Sequence, residues 1–237
     1  MDGASLTPRL GAALPAEQRT AVEGLRTSER RAPRNTCILR ADDIGPRLRT
    51  LRTGWAFRCR MLVDGRRQIV GVLLPGDTFG IETLFDDRLD HTVWSATAVT
   101  YAVLDAQAAV GLFDSEPWFR RLLMRTLVDD KVAAERWMTQ LGRCDAEERT
   151  ASLILWLYER LTWLRLASYR RFRLELTQQE LADLLGLHLI HLNRILSRLR
   201  ARGLILMQAQ EVTLLDYEGL SDLVPASNIP ERHANLA

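Results

Sequence analysis

Long apolar runs, clustered cysteines and a strong excess of one charge are all missing from this sequence of 237 residues. No segment approaches the roughly 18 apolar residues of a membrane-spanning helix, and no basic stretch followed by an apolar core opens the chain, so we expect a cytoplasmic protein. Cys37, Cys59 and Cys144 are few, odd in number and widely spaced. This favours reduced thiols over a disulfide framework.

Motifs typical of enzymes are also absent. No glycine-rich loop that would hold a phosphate follows an expected strand, there is no Gly-x-Ser-x-Gly motif, and the four histidines lack metal-ligand spacing. We therefore expect neither an enzyme nor a metal site. The 32 basic and 30 acidic residues leave a net charge of only +2, so an argument for nucleic acid has to come from local charge.

The pattern of apolar and turn residues in the first half of the chain changes near residue 35. Pro15 can open a short amphipathic helix through Leu25, and a basic stretch follows it, which together suggest a leader. From Asn35 to about Leu104, short apolar runs alternate with turn residues, as in antiparallel β structure. A hairpin is expected from Trp55–Val63 and Gln68–Leu74, joined by the turn Asp64-Gly65.

Beyond Pro117 the apolar period becomes helical. The repeating positions are Leu123, Leu127, Ala134, Met138 and Leu141. They predict one long helix with a stripe that a second copy of the chain would cover, while packing on its own domain is the alternative. The pattern restarts near Asp145, which indicates a second domain.

The segment from Thr177 to Leu199 has helix-turn-helix spacing. Residues 178–185 and 188–200 are read as two helices around a turn at Gly186, and small Ala182 permits close packing. Thr177 followed by Glu180 is typical of a capping box at the first helix.

Basic residues dominate the second of these helices. No acidic residue lies between Leu184 and Gln210, whereas Arg194, Arg198, Arg200 and Arg202 all do, so this face should attract DNA phosphates. The alternative is a pair of amphipathic helices with a solvated arginine face. Residues 203–205 and 212–215 are expected to form the two strands of a wing.

With these features in this order, the chain resembles the Crp/Fnr family of bacterial transcription regulators from about Asn35 to Leu223. Gly54, Asp64-Gly65, residues 74–77 and Phe79-Gly80 are similar to that family's β-roll, which is like a cyclic-nucleotide-binding domain. The resemblance implies an α+β protein with an N-terminal antiparallel β-roll, a long dimerisation helix and a C-terminal winged helix-turn-helix. The expected boundaries are a helical leader over 1–34, the β-roll over 35–116, the helix over 117–144, the DNA-binding domain over 145–225 and a tail over 226–237.

The resemblance also implies a homodimer on a near-palindromic operator in double-stranded DNA, with RNA polymerase as a partner if the protein activates transcription. It places base-reading side chains at the start of the recognition helix, where Arg194 suits guanine, Asn193 suits adenine and apolar Ile190 suits thymine methyl groups. The candidate DNA-binding residues are Thr177, Gln178, His188, Leu189, Ile190, His191, Asn193, Arg194 and Arg198. The alternative function is a ligand-binding signalling module whose helical C-terminal domain contacts a protein partner.

The sensor positions do not follow the pattern of nucleotide binders. Glu82 is offset by one position from their ribose-binding glutamate, His91 stands in place of the phosphate-binding arginine, and Ala134-Glu135 replace the polar pair that meets the base. We therefore expect no cyclic AMP and no other resident cofactor. An iron-sulfur cluster is not expected either, because it needs about four gathered thiolates. Haem stays open, with His91, Cys37 and Cys59 as possible ligands.

Overall fold

Two four-stranded antiparallel sheets form most of the first of the two compact units into which the chain divides, residues 1–134 and 135–237. The computed structural model describes residues 14–41, 43, 45–86 and 89–225. The expected tail over 226–237 and the first 13 residues of the expected leader therefore lie outside the described residues. Within the described ranges, no helix has both the length and the apolar character to cross a membrane.

The strands of the first unit alternate between its two sheets, except that β4 and β5 follow one another in the same sheet. The first sheet has the order β1-β8-β3-β6 and the second the order β2-β7-β4-β5. The strands are β1 (Arg26–Ala32), β2 (Cys37–Leu39), β3 (Arg49–Thr53), β4 (Ala56–Met61), β5 (Arg67–Leu73), β6 (Thr78–Phe79), β7 (Thr92–Ser95) and β8 (Val99–Leu104). The expected β-roll and its β4–β5 hairpin are confirmed.

The core of this unit lies in two parts. Leu39, Leu51, Val93 and Tyr101 belong to one buried cluster, which is built from strands of both sheets. Helices pack around a second cluster, and they are α1 (Ala16–Gly24), α2 (Ala106–Ser115) and the beginning of α3 (Pro117–Arg143).

The expected leader over 1–34 is wrong for residues 26–32. These residues form β1, which pairs antiparallel with β8 from Arg26↔Leu104 to Ala32↔Val99. β1 lies at the edge of its sheet, and the side chains of its first six residues are exposed. It therefore has no apolar alternation, and its basic side chains resemble a linker in the sequence.

The long helix α3 is present as expected, but one residue of its predicted stripe has another role. Leu123 is buried in the core of the first unit together with Phe119 and Ala109, and Leu127 packs against the same cluster. Since these side chains already have partners within their own unit, Leu123 is not available to a second copy of the chain.

Beyond the end of α3, the described residues of the second unit form three longer helices, a short one and a small sheet with the order β11-β12-β10-β9. Its elements are α4 (Ala146–Trp163), β9 (Ala167–Ser168), β10 (Arg171–Arg173), α5 (Gln178–Leu185), α6 (Leu189–Ala201), β11 (Ile205–Gln208), β12 (Glu211–Leu214) and α7 (Tyr217–Ser221). Leu157, Leu185, Leu192 and Val212 are fully buried in this unit. The winged helix-turn-helix is confirmed.

A stability prediction follows from the turn between β3 and β4. Gly54 has φ +77°, and a Cβ atom there would overlap the Ala98 carbonyl oxygen. Gly54→Ala should therefore lower the free energy of unfolding by more than the roughly 1 to 3 kcal/mol of a strained backbone alone. Gly65→Ala is the control, since Gly65 has φ +83° with open space around it. Equal shifts of the urea midpoint in the two variants would contradict the prediction.

Candidate DNA-binding site

The first helix of the motif, α5, begins at a complete capping box. The Thr177 hydroxyl accepts a hydrogen bond from the Glu180 amide at 3.1 Å, and the Glu180 carboxylate accepts one from the Thr177 amide at 2.6 Å. The helix ends at Gly186, whose φ of 65° and ψ of 39° lie in the left-handed region that glycine favours. Both predicted boundaries are thus confirmed, and they fix where the next helix starts.

The recognition helix α6 has one buried face. Leu192, Ile195, Leu196 and Leu199 recur at intervals of three and four residues and are all buried. Their burial leaves the opposite face of α6 exposed.

The predicted DNA-binding residues lie on this exposed surface with one partial exception. Asn193 is half-buried, and the others are exposed at the start of α5 or along α6. The exposed set is Thr177, Gln178, His188, Leu189, Ile190, His191, Arg194 and Arg198. Their contacts with DNA stay a prediction, because accessibility is necessary for such contacts and does not establish them.

Arg194 differs from the other arginines of this helix. Among the residues that the structure describes, none accepts a hydrogen bond from Arg194 or pairs with its charge. Its fork of N–H donors is therefore available, and a guanidinium can donate two hydrogen bonds to O6 and N7 of guanine.

The remaining arginines of this face already have acceptors. Arg198 Nη1 lies 2.7 Å from Glu147 Oε2, and Arg202 Nη1 lies 2.6 Å from Glu147 Oε1. Arg200 donates to the Leu196 carbonyl oxygen and to the Ser197 hydroxyl. The role of Glu147 could not be predicted from the helix-turn-helix segment, because Glu147 lies 51 residues before Arg198.

The wing follows α6 directly. β11 and β12 pair antiparallel from Ile205↔Leu214 to Gln208↔Glu211. Ala209 and Gln210 both have positive φ at the tip, which suits the tight turn of a two-residue hairpin.

In the first unit, the residues at the sensor positions are engaged with one another. His91 is 7% exposed, and its Nδ1 lies 3.0 Å from Asp90 Oδ1 while its Nε2 lies 3.5 Å from Glu82 Oε1. Burial alone would raise the pKa of Asp90, but the hydrogen bond with His91 and the charge of Arg60 outweigh it and lower that pKa. No group of three or more potential metal ligands occurs among the described residues.

A second ion pair joins the β-roll to the long helix within the same unit. Arg58 Nη1 on β4 lies 3.1 Å from Asp130 Oδ2 on α3. Burial alone would lower the pKa of Arg58, but the charge of Asp130 and its hydrogen bond outweigh that effect and raise it. Arg58 is thus held as a paired cation.

With the geometry described, the chain can be compared with known proteins. Residues 148–223 match the Crp-like helix-turn-helix domain, and residues 29–116 match the cyclic nucleotide-binding domain. The transcriptional activator protein FnrL of Cereibacter sphaeroides is 31% identical over 172 residues, which are 71% of this chain and 68% of that protein. The nitrogen fixation regulation protein FixK of Rhizobium meliloti is also 31% identical, over 76% of this chain and 80% of its own length. This chain belongs to the Crp/Fnr family.

A solved structure supports the same conclusion. FixK2 from Bradyrhizobium japonicum superposes with a TM-score of 0.77 at 26% identity, and the match covers 84% of this chain and 98% of FixK2. The chain is accordingly a DNA-binding transcription regulator of the Crp/Fnr type. Its named relatives are regulators and not enzymes, as the sequence led us to expect.

Cyclic nucleotides are the ligands that the second matched domain implies, and the residues present do not fit them. A buried cyclic phosphate needs an unpaired cation, whereas Arg58 is paired with Asp130 and the phosphate-binding position holds His91. The carboxylate of Glu82 lies 3.5 Å from His91 Nε2.

The possible haem ligands differ in exposure. Cys59 is buried and Cys37 half-buried, and burial raises the pKa of the Cys37 thiol. His91 already contacts Asp90 and Glu82.

The role of Arg194 yields a prediction. Arg194→Ala should remove the preference for one guanine in each half-site, a loss of about 1 to 3 kcal/mol of discrimination. Competition between the preferred site and the same site with that base pair exchanged measures this directly. Arg200→Ala is the control, because it removes the same charge from an arginine that is folded back on its own helix. Equal losses on both DNA sequences for Arg194→Ala would contradict the role.

Proposed function

We propose that this regulator binds a near-palindromic operator as a homodimer and reads guanine through Arg194. The observation that carries the proposal is the guanidinium of Arg194 on the exposed face of a well-packed recognition helix, where no described residue pairs with it. Thr177 and Gln178 at the start of α5 are suited to phosphate contacts, which orient the protein without reading sequence. No observation favours the alternative of a helical domain that contacts only a protein partner.

The proposed dimer interface is the exposed apolar face of α3. Met124, Val128 and Met138 lie within about 80° of one another around the helix at 100° per residue, and Met138 is 62% exposed. Val132 and Leu141 extend this apolar surface on either side. This set keeps Met138 and Leu141 from the predicted stripe. It leaves out Leu123, which belongs to the first unit's own core, and Leu127, which packs against that core. Ala134, also predicted, is exposed.

We also propose that the regulator acts without a resident small molecule. The support is that Arg58 is paired with Asp130 and that the position expected to hold a phosphate-binding arginine holds His91, whose Nδ1 contacts Asp90. Three dispersed cysteines would not hold an iron-sulfur cluster within one chain, and we assign no haem. A chromosomal operator would place the protein in the cytoplasm, with RNA polymerase as its partner if it activates transcription.

Selection of bound duplexes from a random DNA pool by the purified protein tests this function. With no small molecule added, we expect a palindromic sequence whose half-sites lie about one helical turn apart. Enrichment only after addition of cyclic AMP would contradict action without a ligand. No enrichment under either condition would contradict operator binding and favour a protein partner.

The dimer interface can be tested by charge. Val128→Glu and Met138→Glu should each place two like charges near the proposed two-fold axis and shift the protein to monomers in sedimentation equilibrium. Ala133→Glu is the matched control, because Ala133 is an exposed apolar residue of α3 that lies about 180° from Met124 around the helix. An unchanged dimer mass in both glutamate variants would show that this face is not the interface.

A further inference from the structure

Glu147 on the first turn of α4 contacts two arginines of the recognition helix. Its Oε2 accepts from Arg198 at 2.7 Å and its Oε1 accepts from Arg202 at 2.6 Å. Arg198 and Arg202 are four residues apart, so they lie on the same side of α6 and reach one carboxylate together. Each oxygen of Glu147 therefore holds a different guanidinium.

Capping of α4 does not require the Glu147 side chain. The Asp145 carboxylate accepts from the amides of Glu147 and Glu148, and the Glu148 carboxylate accepts from the Asp145 amide. These bonds complete the capping box. The carboxylate of Glu147 is thus engaged by the recognition helix and is dispensable for helix initiation.

The burial of the three side chains is unequal. The Glu147 side chain is 14% exposed, whereas those of Arg198 and Arg202 are 61% and 47% exposed. The carboxylate lies beneath two guanidinium groups that face solvent. Together the three groups present one net positive charge where the α6 sequence alone suggests two.

We propose that Glu147 stands in for a DNA phosphate and limits the sequence-independent affinity of the recognition helix for DNA. Carboxylates and phosphates both accept hydrogen bonds from an arginine fork, so a phosphate competes with Glu147 for the Nη1 donors of Arg198 and Arg202. Counterions leave the DNA only where a cationic side chain of the protein neutralises a phosphate. This release strengthens binding at low salt. Within the described part of the chain, Arg194 has no such competitor and remains available for base contacts.

The consequence is a division of roles within one helix, which rests on the DNA-binding function proposed above. Arg194 discriminates between DNA sequences. Glu147 keeps Arg198 and Arg202 from increasing the affinity for DNA phosphates, which is the same for every sequence. Genomic DNA offers a vast excess of non-specific sites, so restraint of this shared attraction improves occupancy of the operator.

The test measures affinity of the full-length chain for a random duplex over a range of salt concentrations. Glu147→Gln should bind the random duplex more tightly, by roughly eightfold at 0.1 M salt if one further phosphate is neutralised, with a salt slope steeper by about 0.9. Glu218→Gln is the control for net charge, because it removes the same charge from an exposed residue of the short helix α7. We expect a smaller change in that variant.

Combined variants show whether the released arginines cause the effect. Glu147→Gln/Arg198→Ala releases only Arg202, so about half of the gain should disappear, and Glu147→Gln/Arg198→Ala/Arg202→Ala, which removes both released arginines, should lose all of it. If Glu147→Gln is poorly folded by thermal unfolding, Glu147→Asp keeps the charge but shortens the side chain, and it should change affinity in the same direction.

The outcomes separate this inference from the function on which it rests. Affinity and salt slope in Glu147→Gln that match those of Glu218→Gln would overturn the role of Glu147, as would a gain that persists after both Arg198 and Arg202 are replaced by alanine. Failure of the unaltered protein to bind either its selected site or the random duplex would instead contradict the DNA-binding function.

Discussion

Burial of the apolar face of α6 is the constraint on which the DNA-binding surface depends. Leu192, Ile195, Leu196 and Leu199 bring one side of the helix into the core of its unit, and this determines which residues face solvent. The capping box at Thr177 and the left-handed Gly186 set where the chain turns into the helix. Rotation of α6 by one residue, about 100°, would bury Arg194 and expose a leucine, so packing and base recognition are specified by the same residues.

Ion pairs make the arginines of the recognition helix differ from one another, although the sequence of the helix alone does not distinguish them. The chain is almost neutral overall, and its basic recognition helix differs from that average. Within this helix the arginines are not alike, because Arg198 and Arg202 pair with Glu147 and Arg194 does not. A similar principle operates in the first unit, where Asp130 on α3 pairs with Arg58 on β4. In both units an acid on a neighbouring helix decides what an arginine is free to bind.

Features encoded over short stretches could be predicted from the sequence. The cap at Thr177, the turn at Gly186, the β4–β5 hairpin and the length of α3 each follow from residues close together in the chain. Contacts between distant residues could not be predicted, and they include Glu147 with Arg198 across 51 residues and Arg58 with Asp130 across 72. The strand β1 was also missed, because an edge strand need not alternate between apolar and polar residues. The helical period of α3 correctly predicted a helix, but it did not show that Leu123 belongs to the core.

Replacement of single guanines by 7-deazaguanine in the selected operator tests the central claim most directly. This change removes the N7 acceptor while base pairing is retained, so it deletes one of the two bonds expected from Arg194. Our account predicts that one guanine in each half-site weakens binding of the unaltered protein when it is replaced. The same replacement should have no further effect on Arg194→Ala. Equal losses in the two proteins would contradict the assignment of Arg194 as the base-reading residue.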